Sequence, residues 1–199
     1  MRFQLTRAET ILFWALVFSA FSSSILAPGV IRAASSDSTN WFYMPPGAVL
    51  HPTFGVGSWI WADKTVDQQT CRFWRAFEIP PGIIKEARLR ITADNSFSLF
   101  LDGREIAKGG EWRSISEYDL RQVLFSGKHV FAVEAYNDYS AAGVLLGLRV
   151  ELEGGQVIEI PSDKSWRIIP NTERGWEKKK HQAESWPEAK VIAAFGISP

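Results

Sequence analysis

The stretch Ile91–Gly103, ITADNSFSLFLDG, contains two runs of alternating apolar and polar residues separated by Asp94-Asn95. Alternation with a period of two is typical of β-strands that bury one face. Asp102-Gly103 at its end indicates a tight hairpin turn, because such turns need residues that accept positive φ. The stretch therefore predicts two consecutive strands that meet at Asp94-Asn95, followed by a hairpin into a third.

The same pattern continues on both sides of this stretch. From Ser58 onward about nine short strands are predicted, with Gly and Pro residues between them. The least β-like segment lies between Ser116 and Leu124, where Ser116 is expected to cap one helical turn that stops at Gly127. Regularly spaced short strands predict an all-β fold, an antiparallel sandwich or barrel.

The first 33 residues have the composition of a signal peptide. Two arginines precede an apolar run over Ile11–Phe21, and small residues follow at Ala33-Ala34. We therefore predict a signal peptide over 1–33, a linker or edge segment over 34–57 and the sandwich over 58–199. The predicted location is secreted, periplasmic or cell-envelope. The alternative is an anchored ectodomain with residues 11–31 in the membrane.

Composition excludes several classes of function. Basic and acidic residues are balanced at 22 each, and the basic run Lys178–Lys180 lies among glutamates, so no nucleic-acid partner is predicted. A single cysteine, Cys71, allows no intrachain disulfide and no multi-cysteine metal site. No nucleotide, metalloprotease or nucleophile motif is present, so we predict no cofactor, no metal and no catalytic residue. Stable membrane insertion after signal cleavage is not expected.

Several segments occur in a familiar order: ITADNSFSLFLDGREIAKGGEW, YDLRQVLFSGKHVFAVEAYN, AAGVLLGLRVELEGG, DKSWRI and WPEAKVIAAFG. Together they resemble the galactose-binding-like jelly-roll domains that accompany bacterial glycoside hydrolases. The likeness is to the N-terminal or accessory modules of α-L-rhamnosidase-type and family 2-type enzymes, and it covers Ser58 to Gly196. The resemblance implies an antiparallel jelly-roll β-sandwich. It also implies an exported, non-catalytic module that binds carbohydrate or serves as an accessory domain. A catalytic domain C-terminal to Pro199, or in another chain, is an expected partner.

Three alternatives remain open for function. The domain is a purely structural accessory without sugar binding, a fragment of a larger hydrolase, or a small hydrolase in its own right. The nine tryptophans in the chain are expected to be mostly core, with one or two exposed as stacking surfaces for a sugar. Asp94-Asn95 is interpreted as a turn. The candidate ligand-binding residues are Trp112, Glu111, Arg113, Asn137, Asp138 and Trp176.

Overall fold

The computed structural model describes residues 56–183 and 185–199. The predicted signal peptide and all but the last two residues of the predicted linker lie outside these residues. The described residues form eleven β-strands: β1 Trp59–Trp61, β2 Gln69–Ile79, β3 Ile84–Asp94, β4 Ser96–Leu101, β5 Arg104–Gly110, β6 Ser116–Asp119, β7 Gly127–Asn137, β8 Gly143–Leu152, β9 Val157–Pro161, β10 Arg167–Ile169 and β11 Lys190–Ala193. In this part of the chain no helix is long and apolar enough to span a membrane.

The strands form two antiparallel sheets. The six-stranded sheet has the order β11-β1-β8-β3-β6. Strand β9 also pairs with β8, further along the strand than β1 does. The five-stranded sheet has the order β10-β2-β7-β4-β5. The two sheets pack as a sandwich, which confirms the predicted jelly-roll fold.

The core follows the alternation that the sequence predicted. Ala87, Leu89, Ile91 and Ala93 of β3 are completely buried, and they face large residues of the other sheet. The opposite face of β3 is polar, and Arg90 Nε donates to Glu117 at 2.7 Å. Alternate residues of a strand point to opposite faces, so one sequence period supplies both the core and the charged surface.

The hairpin between β4 and β5 is the predicted primed turn. Asp102 has φ 51° and Gly103 has φ 84°. The Asp102 carboxylate accepts a hydrogen bond from the Val130 NH at 2.8 Å and lies 2.7 Å from His129 Nδ1. The side chain of the turn thus fastens the hairpin to β7.

One local prediction was wrong. Ser116–Asp119 forms a strand, not the first part of a helical turn, because Arg88–Ile91 of β3 pairs with it across the sheet edge. A single turn follows, in which the Leu124 NH donates to the Leu120 carbonyl at 3.0 Å. Cys71 on β2 is buried, and burial raises the pKa of its thiol to about 11.

Candidate functional site

The corner that joins β3 to β4 is the centre of the site. β3 ends at Asp94, which is buried, and a cis peptide bond connects it to the exposed Asn95. The Asn95 NH donates to the Tyr136 carbonyl at 2.6 Å, and the Asn95 carbonyl accepts from the Glu111 NH at 3.1 Å. Asn95 Oδ1 accepts from the Asp138 NH at 2.6 Å. One residue therefore holds the corner, the β5–β6 loop and the end of β7 together.

The β5–β6 loop approaches this corner closely. A Cβ on Gly110 would lie 2.3 Å from the Asn95 carbonyl oxygen, so only glycine fits there without a backbone shift. Buried Thr92 donates from Oγ1 to the Glu111 carbonyl at 3.0 Å. Glu111 itself has φ 79°, in the left-handed region. These contacts fix the backbone position from which the side chain of the next residue, Trp112, extends.

Trp112 differs from the other tryptophans of the described residues. Six of these seven are buried, and Trp112 is half-buried. The Arg113 guanidinium lies over the Trp112 ring at 4.5 Å from its centroid. Arg113 also pairs with Glu111, with 3.4 Å between Nη1 and Oε1. The predicted trio therefore lies together, although Arg113 stacks on the indole instead of lying beside it.

The site carries negative charge near this indole. Burial raises the pKa of the Asp94 carboxyl above its ordinary value of 3.8; the negative charge of Glu111 raises it further, and Arg113 opposes the shift. Exposed Asp138 contributes another carboxylate. Such oxygens accept hydrogen bonds from hydroxyl groups. Among the described residues, no three His, Cys, Asp or Glu side chains form a group that could hold a metal ion.

Asn137 and Asp138 occupy the end of β7 in different ways. Asp138 is exposed, while Asn137 is completely buried. Asn137 Nδ2 donates to the Val66 carbonyl at 3.0 Å, which anchors the β1–β2 loop. Its Oδ1 is buried and has no hydrogen-bond partner among the described residues. The prediction that Asn137 contacts a sugar on the surface is corrected, because this side chain points inward.

Trp176 lies elsewhere and is also a correction. It belongs to a second apolar cluster on the outer face of the five-stranded sheet, formed with Trp74, Ala132, Ile169 and Trp186. The edge of its ring meets Phe100, with 5.3 Å between the centroids. Residues 170–183 and 185–187 cover this part of the sheet, and the Trp176 ring packs against it. Its surface is therefore not available for stacking.

Sequence reasoning missed two residues as site residues. Asp94 and Asn95 were interpreted as a turn alone, yet they lie at the point where the three segments converge. Tyr136 on β7 is partly exposed and lies beside this site. The signal that was available is the Asp-Asn pair at the end of a strand, since both side chains can bond neighbouring backbone groups.

No protein-family model matches the chain. Among curated proteins, the α-L-rhamnosidase of Streptomyces avermitilis is 30% identical over 182 residues, which are 85% of this chain and 18% of that enzyme. The chain thus spans less than a fifth of the length of this relative.

Solved structures similar to this chain include the same enzyme. The S. avermitilis α-L-rhamnosidase in complex with L-rhamnose matches with a TM-score of 0.64 and 31% identity, over 71% of this chain and 15% of the enzyme. The Pleurotus ostreatus lectin matches with a TM-score of 0.63 and 24% identity, over 71% of this chain and 43% of the lectin. The lectin likeness supports the fold alone.

Proposed function

We propose that this chain, which has the galactose-binding-like jelly-roll fold found in α-L-rhamnosidase modules, binds a terminal L-rhamnose residue of a glycan. The observation that carries the proposal is the position of Trp112. It is the tryptophan of the described residues that is not buried, and it lies where three polar segments converge.

The chemistry of the surroundings fits a neutral polyol. The exposed part of the indole offers an apolar surface for the C–H groups of a sugar ring. The carboxylates of Asp94, Glu111 and Asp138 accept hydrogen bonds from sugar hydroxyls. L-Rhamnose is chosen because the relative at 31% identity was solved with that sugar.

The test is isothermal titration calorimetry with L-rhamnose and, for comparison, N-acetylgalactosamine. The expected result is saturable binding of L-rhamnose and a loss of at least about tenfold in affinity for Trp112→Ala, with an almost unchanged Tm. Phe125→Ala is the matched control, because it removes an exposed aromatic ring before β7, at the opposite end from the site. A wild-type protein that binds no saccharide on a broad glycan array would favour the purely structural accessory domain.

The module is further proposed to bind without hydrolysing. In support, the chain corresponds to only 18% of the matched rhamnosidase, so an accessory role is the simpler assignment. No release of nitrophenol from 4-nitrophenyl α-L-rhamnoside is expected, and release would restore the small hydrolase as the alternative. Export remains a proposal from the N-terminal sequence, and N-terminal sequencing of protein from the culture medium or periplasm checks it.

A further inference from the structure

The outer face of the five-stranded sheet carries an uncovered row of residues beside the site. Tyr136 on β7 lies opposite Thr70 on β2 and opposite Ser96 on β4, and Ser96 lies opposite Gly110 on β5. Residues directly opposite on antiparallel strands share one face of the sheet. The row therefore places a phenol ring, 37% exposed, between two hydroxyl-bearing residues, with no side chain at Gly110.

This row is continuous with the site. The Tyr136 carbonyl accepts the hydrogen bond from Asn95, and the Tyr136 hydroxyl lies 3.5 Å from Asp138 Oδ1. Gly110 immediately precedes the loop that carries Trp112. A ligand bound at Trp112 therefore has Tyr136 as its neighbour around the sheet edge.

The row also has a defined boundary. The next outward-facing positions are Arg72, Glu134, Ser98 and Lys108, and the Arg72 guanidinium pairs with Glu134 at 2.8 Å. Beyond them residues 170–183 and 185–187 cover the sheet through the second apolar cluster. Across four strands the uncovered row is about 14 Å long, since neighbouring strands are about 4.8 Å apart. That length exceeds a single sugar ring.

We infer that this row is a second subsite, which takes the sugar residue linked to the one at Trp112. The inference rests on the proposed function. It adds that the module binds an oligosaccharide more tightly than a single terminal sugar. The chemistry favours a neutral glycan, because the row is aromatic and hydroxyl-bearing and Arg72 at its boundary is paired with Glu134. Tyr136 is the stacking surface, and Thr70 and Ser96 supply hydroxyls on either side.

The experiment compares methyl α-L-rhamnoside with an α-linked L-rhamnose trisaccharide by calorimetry. Wild type is expected to bind the trisaccharide about tenfold more tightly, which corresponds to roughly 1.4 kcal/mol. Tyr136→Ala should remove this gain, so that the variant binds the trisaccharide no more tightly than the monosaccharide. Tyr136→Phe, which keeps the ring, should retain the gain. Ser96→Arg, an exposed position where a long side chain would fill the row, should abolish the gain independently of Tyr136.

The outcomes separate the two proposals. If wild type binds both ligands equally, or if Tyr136→Ala and Ser96→Arg retain the gain, the second subsite is wrong while binding at Trp112 stands. If wild type binds neither ligand, the proposed function and the second subsite are both overturned.

Discussion

Trp112 and Trp176 make the same local contact in different surroundings. Each has an arginine guanidinium over its ring, Arg113 at 4.5 Å and Arg72 at 4.8 Å from the ring centroid. Trp176 is buried against Phe100 and belongs to an apolar cluster of four further buried residues. Trp112 is half-buried and directly follows Glu111, whose backbone is hydrogen-bonded to Asn95 and Thr92 where three segments converge.

The comparison shows that the arginine–indole contact does not identify a binding site. In both places the cation lies on the π face, which is favourable wherever an arginine can reach an indole. The difference lies in what covers the rest of the ring. Apolar neighbours make Trp176 a packing residue, whereas the converging polar segments leave Trp112 part of an open surface.

The largest effect is expected for Trp176→Ala. Removal of this buried ring should lower the free energy of unfolding by about 3 kcal/mol, because the second cluster loses the residue that packs segment 170–183 onto the sheet. Urea denaturation measures the change, with Trp112→Ala as the comparison at about 1 kcal/mol or less. Equal destabilisation by the two variants would mean that Trp112 is also a core residue.

A smaller loss of stability is expected for a substitution at Gly103, in the hairpin between β4 and β5. Gly103 has φ 84°, and a Cβ there would lie 2.8 Å from Lys178 Cγ. Gly103→Val should therefore destabilise the domain by about 1–3 kcal/mol through backbone strain. Gly154→Val is the matched control, because a Cβ on Gly154 meets nothing within 4 Å. An unchanged denaturation midpoint for Gly103→Val would show that the turn does not depend on glycine.

The smallest change in stability is expected for Asp94→Asn, which should stabilise the domain instead of destabilising it. A raised carboxyl pKa means that the folded state favours the neutral form, so the stability from this group is present below pH 3.8 and is lost as pH rises through the raised pKa. Asp94→Asn should therefore raise the Tm by a few degrees at pH 7, with a difference that disappears in acid. The same variant should weaken L-rhamnose binding. A lower Tm for the variant at pH 7 would contradict the assigned cause, which is burial of an unpaired charge.

Much of the fold was predictable because its pattern is local. The period of two over Ala87–Ala93 and the pair Asp102-Gly103 specify a half-buried strand and a primed turn within a few residues. The segment after Ser116 was mispredicted because its structure is set by pairing with β3, which is distant in sequence.

The site was predictable only in part for the same reason. Trp112 was predicted as a candidate ligand-binding residue, and this indole is half-buried, outside the core. The role of Asn95 depends on hydrogen bonds to Glu111, Tyr136 and Asp138, and sheet register, not local pattern, brings these residues together. Trp176 was misassigned because its burial depends on Phe100 and Trp74, which lie on other strands.

The three bonds of Asn95 have a consequence for the thermodynamics of recognition. Because one residue already ties the corner, the β5–β6 loop and the end of β7, little backbone freedom is left to lose when a saccharide arrives. A preorganised surface of this kind keeps most of the interaction energy of its few contacts. For the proposed glycan-binding function, this preorganisation favours binding and release without rearrangement of these three segments.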